Sequence, residues 1–273
     1  MVAPDDSSEA GPDPRFDTSV AHVARVYNYW LGGKDHFAVD RIAGEQTIAV
    51  YPGIRQSARA NRRFLARAVR HLAKTEGIRQ FLDIGTGLPT ASNTHEVAQS
   101  VAPDSRIVYV DNDPMVLAHA RALLTSSAEG TTAYLDADLR DTEKILIQAE
   151  GTLDFSQPVA IMLFAILHYI PDFDEARRIV KRLLDAVPSG SFIVISHAGS
   201  DLFPEEISAF EHQLNEVLRD STHVARPRAE VARFFDELEL LEPGVVRVSE
   251  WRPDSPAETA TPTTLWGGVA VKR

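Results

Sequence analysis

The sequence predicts an α/β protein with a seven-stranded, mostly parallel sheet whose last strand is antiparallel, preceded by an N-terminal helical cap. Three observations carry this reading. From Ile78 onward, short apolar runs alternate with amphipathic stretches, as parallel strands joined by right-handed helical crossovers do. The run Val159–Leu167 is apolar almost throughout, as a central strand covered on both faces should be. The stretch Phe81-Leu82-Asp83-Ile84-Gly85-Thr86-Gly87-Leu88-Pro89-Thr90 ends an apolar run in an acid and two alternate glycines, and helix-compatible sequence resumes near Asn93. That order reads as strand, tight turn and helix, with glycine accepting positive φ and letting a ligand approach the backbone closely.

Taken in order, residues 1–15 mix proline and glycine with acidic and serine residues and read as a disordered tail. Residues 16–77 read as the helical cap. Ser19 is positioned to cap a helix bearing Val20, Val23, Tyr27 and Leu31 on one face, which Gly32-Gly33 ends. A second helix is expected from about His36 to Val50, before Pro52-Gly53, and a third from Arg55 to Lys74. The third helix carries a basic stripe from Arg55 through Arg59, Arg62, Arg63, Arg67 and Arg70 to Lys74, which reads either as a solvated face paired with carboxylates or as a cradle for an anion.

Residues 78–273 read as the sheet domain. Strands are expected at Arg79–Asp83, Arg106–Val110, Thr131–Leu135, Pro158–Phe164 and Ser191–His197, with helices near Asn93–Val101, Pro114–Leu124, Asp141–Glu150 and Asp172–Ala186. A long helix near Glu205–Arg219, a shorter one near Arg228–Leu238, and strands at Val245–Val248 and Thr264–Val271 complete the chain.

Composition narrows the function. The 273 residues are 44% hydrophobic and 25% charged, ordinary for a soluble globular protein. With no cysteine, disulfides, thiolate metal sites and a cysteine nucleophile are excluded. His95-Glu96 lacks a second histidine four residues on, and no metal site is expected. The acidic opening Met1-Val2-Ala3-Pro4-Asp5-Asp6 has neither the basic nor the apolar block of a secretion signal, and no apolar run is long enough to span a bilayer, so a cytoplasmic protein is expected. A formal charge of −11 argues against duplex nucleic acid or an anionic membrane as partner and favours a cationic ligand.

The chemistry gathers at one sheet edge. Asp111 ends the second strand, where doubly wound folds place a carboxylate against both hydroxyls of a ribose, and Asn112 follows it. Asp113 before Pro114 reads as a helix N-cap. Asp138 after the third strand is placed to accept an adenine amino group, with the Leu139 N–H donating to the ring. His168 and Tyr169 follow the fourth strand at the same edge, and His168 is the leading candidate to contact the reacting end.

Asp83-x-Gly85-x-Gly87, Asp111, Asp138-Leu139 and Leu167-His168-Tyr169-Ile170-Pro171-Asp172 resemble the ordered motifs of class I S-adenosylmethionine-dependent methyltransferases, over roughly residues 78–200. A narrower resemblance covers nearly the whole chain beyond the tail. The opening Ala24-Arg25-Val26-Tyr27-Asn28-Tyr29-Trp30-Leu31-Gly32-Gly33-Lys34-Asp35 is similar to that of a largely uncharacterised bacterial S-adenosyl methyltransferase family. Asn61-Arg62-Arg63-Phe64-Leu65, Val110–Pro114 and Ser196-His197-Ala198 are similar to it too.

The resemblance implies a Rossmann-like fold and S-adenosyl-L-methionine as cofactor. Asp83, Gly85, Thr86 and Gly87 would lie at its methionine end, Asp111 at the ribose and Asp138 at the adenine. Tyr27, Tyr29 and Lys34 lie on a segment that would fold over it, and Lys34 reads either as a contact to the methionine carboxylate or as a solvated lysine just past a helix end. The reaction expected is in-line methyl transfer to a small-molecule acceptor, for which alignment is the main requirement. If a general base is needed, His168, Tyr29 and His197 are the candidates. Thr90 stands where a nicotinamide enzyme commonly carries a third glycine. An NAD-dependent reductase and a non-catalytic S-adenosylmethionine sensor are the alternatives, and acceptor and oligomeric state stay open.

Overall fold

A computed structural model describes residues 17–123, 126–218 and 221–273. The reading of residues 1–15 as a disordered tail lies outside the described residues. In chain order the elements are α1 (Val23–Leu31), α2 (Ala38–Val50), α3 (Ile54–Lys74), β1 (Gln80–Ile84), α4 (Thr94–Val101), β2 (Arg106–Asp111), α5 (Pro114–Leu123), β3 (Thr131–Asp136) and α6 (Thr142–Ala149). They continue with β4 (Ala160–Phe164), α7 (Phe173–Asp185), β5 (Phe192–Ala198), α8 (Pro204–Val217), α9 (Arg228–Ala232), β6 (Glu239–Leu240), β7 (Val246–Arg247), α10 (Pro256–Thr259) and β8 (Leu265–Val271).

The sheet runs β3-β2-β1-β4-β5-β8-β6, with β7 also pairing with β8. The first five strands are mutually parallel, and β8 runs antiparallel to β5. This is the expected fold with one strand more than the seven expected. The addition is β6, two exposed residues beside the far end of β8, too short to carry an alternating pattern. The chain builds outward from β1 to β3, then returns to place β4 on the other side of β1. Their carboxyl ends flank the switch point where open α/β sheets bind ligands.

Every residue of β1, β4 and β5 is buried, because helices cover both faces. On one face Ile145, Ile179 and Leu183 cover Leu82, Val108, Ile161 and Ile193. On the other, Phe64, Leu65, Ala68 and Leu72 of α3 cover Phe81, Ile107, Ala160 and Val194. A third cluster joins Val26 and Trp30 of α1 and Ala58 of α3 to Phe210 and Leu214 of α8. The amino-terminal helices thus pack against an element nearly two hundred residues away in sequence.

Local departures have local causes. The first helix starts at Val23 with His22 as its cap, not at Ser19, whose N–H and hydroxyl both donate to Asp17. The start is set by buried Asp40, whose carboxylate accepts from the His22 N–H at 2.9 Å and from Arg25 Nε at 3.0 Å. The helix expected at Arg228–Leu238 ends at Ala232 and tightens into a 3₁₀ turn over Arg233–Phe235.

Candidate cofactor and acceptor site

The turn after β1 opens on the switch point. Gly85 (φ +74°) and Gly87 (φ +67°) adopt the left-handed backbone that glycine tolerates. A Cβ on Gly85 would come within 2.6 Å of Ile166, whereas one on Gly87 would have nothing within 4 Å, so Gly87 is the point open to a ligand. Asp111 latches the turn. Its Oδ2 accepts from the Gly87 N–H at 2.8 Å and its Oδ1 from the Asp113 N–H at 3.0 Å. Burial pushes the Asp111 carboxyl up, and these two donors oppose the rise.

Asp83 is buried beneath the turn and accepts from the Thr94 hydroxyl at 2.6 Å. Burial pushes its pKa up to about 6, against the Thr94 bond and the nearby Arg62 charge. Beyond Asp111, Asn112 Nδ2 donates to Asp138 at 3.2 Å, and Asp138 also accepts from the Arg140 N–H at 2.8 Å. Asp83, Gly85, Thr86, Gly87, Asp111, Asn112, Asp138 and Leu139 all line one cavity of about 330 Å³.

Asp113 performs a different task. It accepts from the Met115 N–H at 2.8 Å, as an N-cap does, and its other oxygen faces His22 at 2.9 Å and Arg25 at 3.4 Å. Burial alone would raise its pKa; the His22 hydrogen bond and charge, the Met115 N–H and Arg25 together hold it below the usual range. Through this network α1 is tied to the end of β2.

The opposite wall of the cavity comes from Tyr27 and Trp30 of α1, Asn61 and Arg62 of α3, and Ile207, Phe210 and Leu214 of α8. His168, Tyr169 and His223 close its far end. Tyr27 lines this wall, with its hydroxyl 3.2 Å from the Ala58 carbonyl.

Tyr29, Lys34 and His197 do not line the cavity. Tyr27 and Trp30 are three residues apart on one helical face, so Tyr29 points away. Its hydroxyl donates to Glu45 at 3.2 Å, its ring meets His36, and Arg55 lies over it. Lys34 stands exposed beyond the Gly32–Gly33 helix end. His197 is fully buried; Arg226 donates to its Nε2 at 2.8 Å, which leaves Nδ1–H to donate to the Ala198 carbonyl at 2.8 Å. Burial holds its pKa down at about 3, so it is a neutral structural group.

His168 does face the cavity. The Ala198 N–H donates to its Nδ1 at 3.4 Å, which puts the ring proton on Nε2. Burial, then the neighbouring His223, His197 and Arg226, keep its pKa well below the ordinary histidine value. As arranged, His168 can donate a hydrogen bond but is a poor base.

The basic stripe divides by use. Arg67 is buried and donates to the Trp251 and Val248 carbonyls and to Glu258, while Arg70 pairs with Asp254. Arg62 is its member on the cavity wall, where Nη2 donates to the Ser92 carbonyl at 3.1 Å and Nε has no partner among the described residues. Asn61, Trp30, Phe210 and His223 were not foreseen as site residues, and Arg62 only as one member of a stripe with two readings. Asn61-Arg62 and Trp30 sit in stretches that carry the family resemblance, which was the available signal. Nothing local to α8 or His223 pointed to the cavity.

The sequence matches the S-adenosyl methyltransferase family over residues 9–273. Among solved structures, a DUF574 family protein from Streptomyces avermitilis is 45% identical with a TM-score of 0.90, the match covering 94% of this chain and 99% of that one. A protein from Thermobifida fusca proposed to be a methyltransferase is 42% identical with a TM-score of 0.87, covering 97% and 99%. A plantazolicin methyltransferase in complex with S-adenosylhomocysteine and a substrate analogue is 13% identical with a TM-score of 0.53, covering 92% and 96%, a likeness of fold alone. No curated protein matches the chain. The extent of the family match is decisive: the chain belongs to the S-adenosyl methyltransferase family and is an S-adenosylmethionine-dependent methyltransferase.

Proposed function

We propose that the protein methylates a small molecule held between the glycine turn and the wall formed by α1, α3 and α8. The observation that carries this reading is the shape and lining of the cavity. Polar groups crowd its sheet edge, while Trp30, Phe210 and Leu214 line the side away from it. Such an apolar chamber with few polar groups is characteristic of small-ligand sites.

The residues present fit the cofactor. Gly87 leaves open space at a positive-φ turn, and among the described residues buried Asp83 has an oxygen free of hydrogen bonds and Arg62 Nε is a buried donor without a partner. In this reading Asp83, Arg62 and the Gly85–Gly87 turn hold the methionine end, Asp111 and Asn112 the ribose, and Asp138 with Leu139 the adenine. When bound, the cofactor supplies a methyl group already activated on a sulfonium sulfur.

What remains for the chain is to align the acceptor and exclude water, since alignment alone accounts for a large share of such a barrier. Tyr27, Trp30 and α8 exclude water; of the 16–77 stretch read from the sequence as a cap, α1 covers the chamber, while α3 also packs on the sheet. His168 contributes an Nε2–H donor that orients the acceptor.

Calorimetry with S-adenosylhomocysteine tests the cofactor part, with binding expected. Methyl-labelled S-adenosylmethionine is then incubated with the enzyme and a fractionated bacterial extract. Label is expected in the small-molecule fraction. Label recovered in protein or nucleic acid instead would overturn the reading.

A further inference from the structure

Two buried polar atoms on the acceptor side of the cavity lack partners among the described residues. Asn61 is 3% exposed, and its Nδ2 donates to the Tyr27 hydroxyl at 3.2 Å. Because that hydroxyl donates to the Ala58 carbonyl, the amide must present its N–H to Tyr27, and Oδ1 is left unpaired. His223, also 3% exposed, has its N–H and carbonyl clamped by Asn215 of α8 at 2.7 and 2.9 Å. Its ring is held by His168, Tyr169 and Phe210, with centroids 4.5, 5.6 and 6.0 Å away, and Nδ1 has no partner. Both side chains line the cavity. A buried polar atom left unpaired is unfavourable, so two on one chamber wall call for a ligand that completes them.

The distribution of charge limits that ligand. Histidines and tyrosines aside, the ionisable residues lining the cavity are Asp83, Asp111, Asp138 and Arg140 at the sheet edge and Arg62 of α3, whose charge lies near enough to Asp83 to lower its pKa. None comes from α1 or α8. A charged group seated against Trp30, Phe210 and Leu214 would lose its hydration without gaining an ion partner.

We propose that Asn61 Oδ1 and His223 Nδ1 are, beside His168, polar contacts of the methyl acceptor, and that this acceptor is an uncharged molecule with an aromatic or apolar body bearing hydroxyl or N–H groups. The proposal rests on the small-molecule reading above. Asn61 accepts a hydrogen bond from the acceptor, and the His223 ring completes a second one. A hydroxyl suits both, since it donates and accepts.

The test uses the full-length protein saturated with S-adenosylhomocysteine and four probes of one shape: 2-naphthol, naphthalene, 2-naphthoate and 2-naphthylmethylammonium. Affinities are read by ligand-observed NMR. 2-Naphthol is expected to bind about tenfold tighter than each of the other three, the discrimination of one or two hydrogen bonds. Asn61→Leu and His223→Phe are each expected to reduce it to the level of naphthalene while S-adenosylhomocysteine affinity is kept. Should either variant fail to fold, the other carries the comparison. Asn61→Asp supplies a readout that a merely structural residue would not move: the cationic probe should overtake the naphthol.

A charged probe that matches 2-naphthol on the wild type, variants that keep the naphthol preference, or no binding by any probe would each overturn the proposal. Failure of S-adenosylhomocysteine itself to bind would instead overturn the functional reading, and the proposal would fall with it.

Discussion

On the glycine-turn side of the cavity, buried Asp83 and Asp111 face backbone N–H groups and a hydroxyl, while on the α8 side buried His168 and His223, with His197 packed against His168, face aromatic rings and Arg226. Burial disfavours charge in both places. It lifts the carboxyls above their usual range and drops the imidazoles below theirs. On the first side the donors and Arg62 work against burial, so charge is held within reach. On the second, Arg226 works with burial, and the rings stay neutral. One wall suits a cationic ligand and the other an uncharged one.

The largest effect that sharpens this contrast is acid sensitivity on the α8 side. His197 and His223 have folded pKa values of about 3, below the ordinary unfolded value, so unfolding takes up protons as pH falls. Their contribution is fully present above about pH 6.5 and is lost progressively toward pH 3, on the order of several kcal/mol. Urea midpoints measured from pH 7.5 to 4 should fall over that window. A flat profile would mean that these rings are not held neutral.

Next in size is Trp30, which packs against Phe210 and donates from Nε1 to the Thr47 hydroxyl at 3.1 Å. Trp30→Ala should cost about 3–5 kcal/mol in urea denaturation. A loss below about 1 kcal/mol would show that α1 is a detachable lid and not part of a core shared with α8.

On the turn side, Asp111→Ala removes the latch on Gly87 and should weaken S-adenosylhomocysteine binding by about 1.5–3 kcal/mol. Wild-type affinity by calorimetry would remove Asp111 from the site. The smallest effect is the pH dependence of that binding. Asp83, with a pKa of about 6, is a carboxylate above that value and neutral below it. Affinity for a ligand carrying an ammonium group should therefore fall about tenfold per pH unit below pH 6, and Asp83→Asn should flatten the curve. A wild-type curve unchanged from pH 7.5 to 5 would separate Asp83 from the ligand.

The two walls also differ in how far they could be read in advance. Asp83, the Gly85–Gly87 turn, Asp111 and Asp138 each lie at or just past the end of a strand, and parallel strands deliver their carboxyl ends to one edge. Position in sequence therefore implied position in space. Tyr29 and Lys34 show the limit of that logic. They lie within a stretch that does approach the cavity, but helical phase turns Tyr29 toward Glu45, and Lys34 lies past the helix end. His197 sits on a strand, yet Arg226 reaches it across the fold and uses the ring nitrogen a substrate would need.

Local pattern alone determined that this chain forms a doubly wound sheet with a ligand-binding edge, because strand periodicity and turn chemistry act between near neighbours. Only the tertiary structure decided what closes the chamber. The α8 helix meets the amino-terminal helices, and His223 and Arg226 meet His168 and His197, through contacts between residues far apart in sequence. Such contacts are chosen by shape and by the satisfaction of buried polar groups, neither of which is written in any single segment.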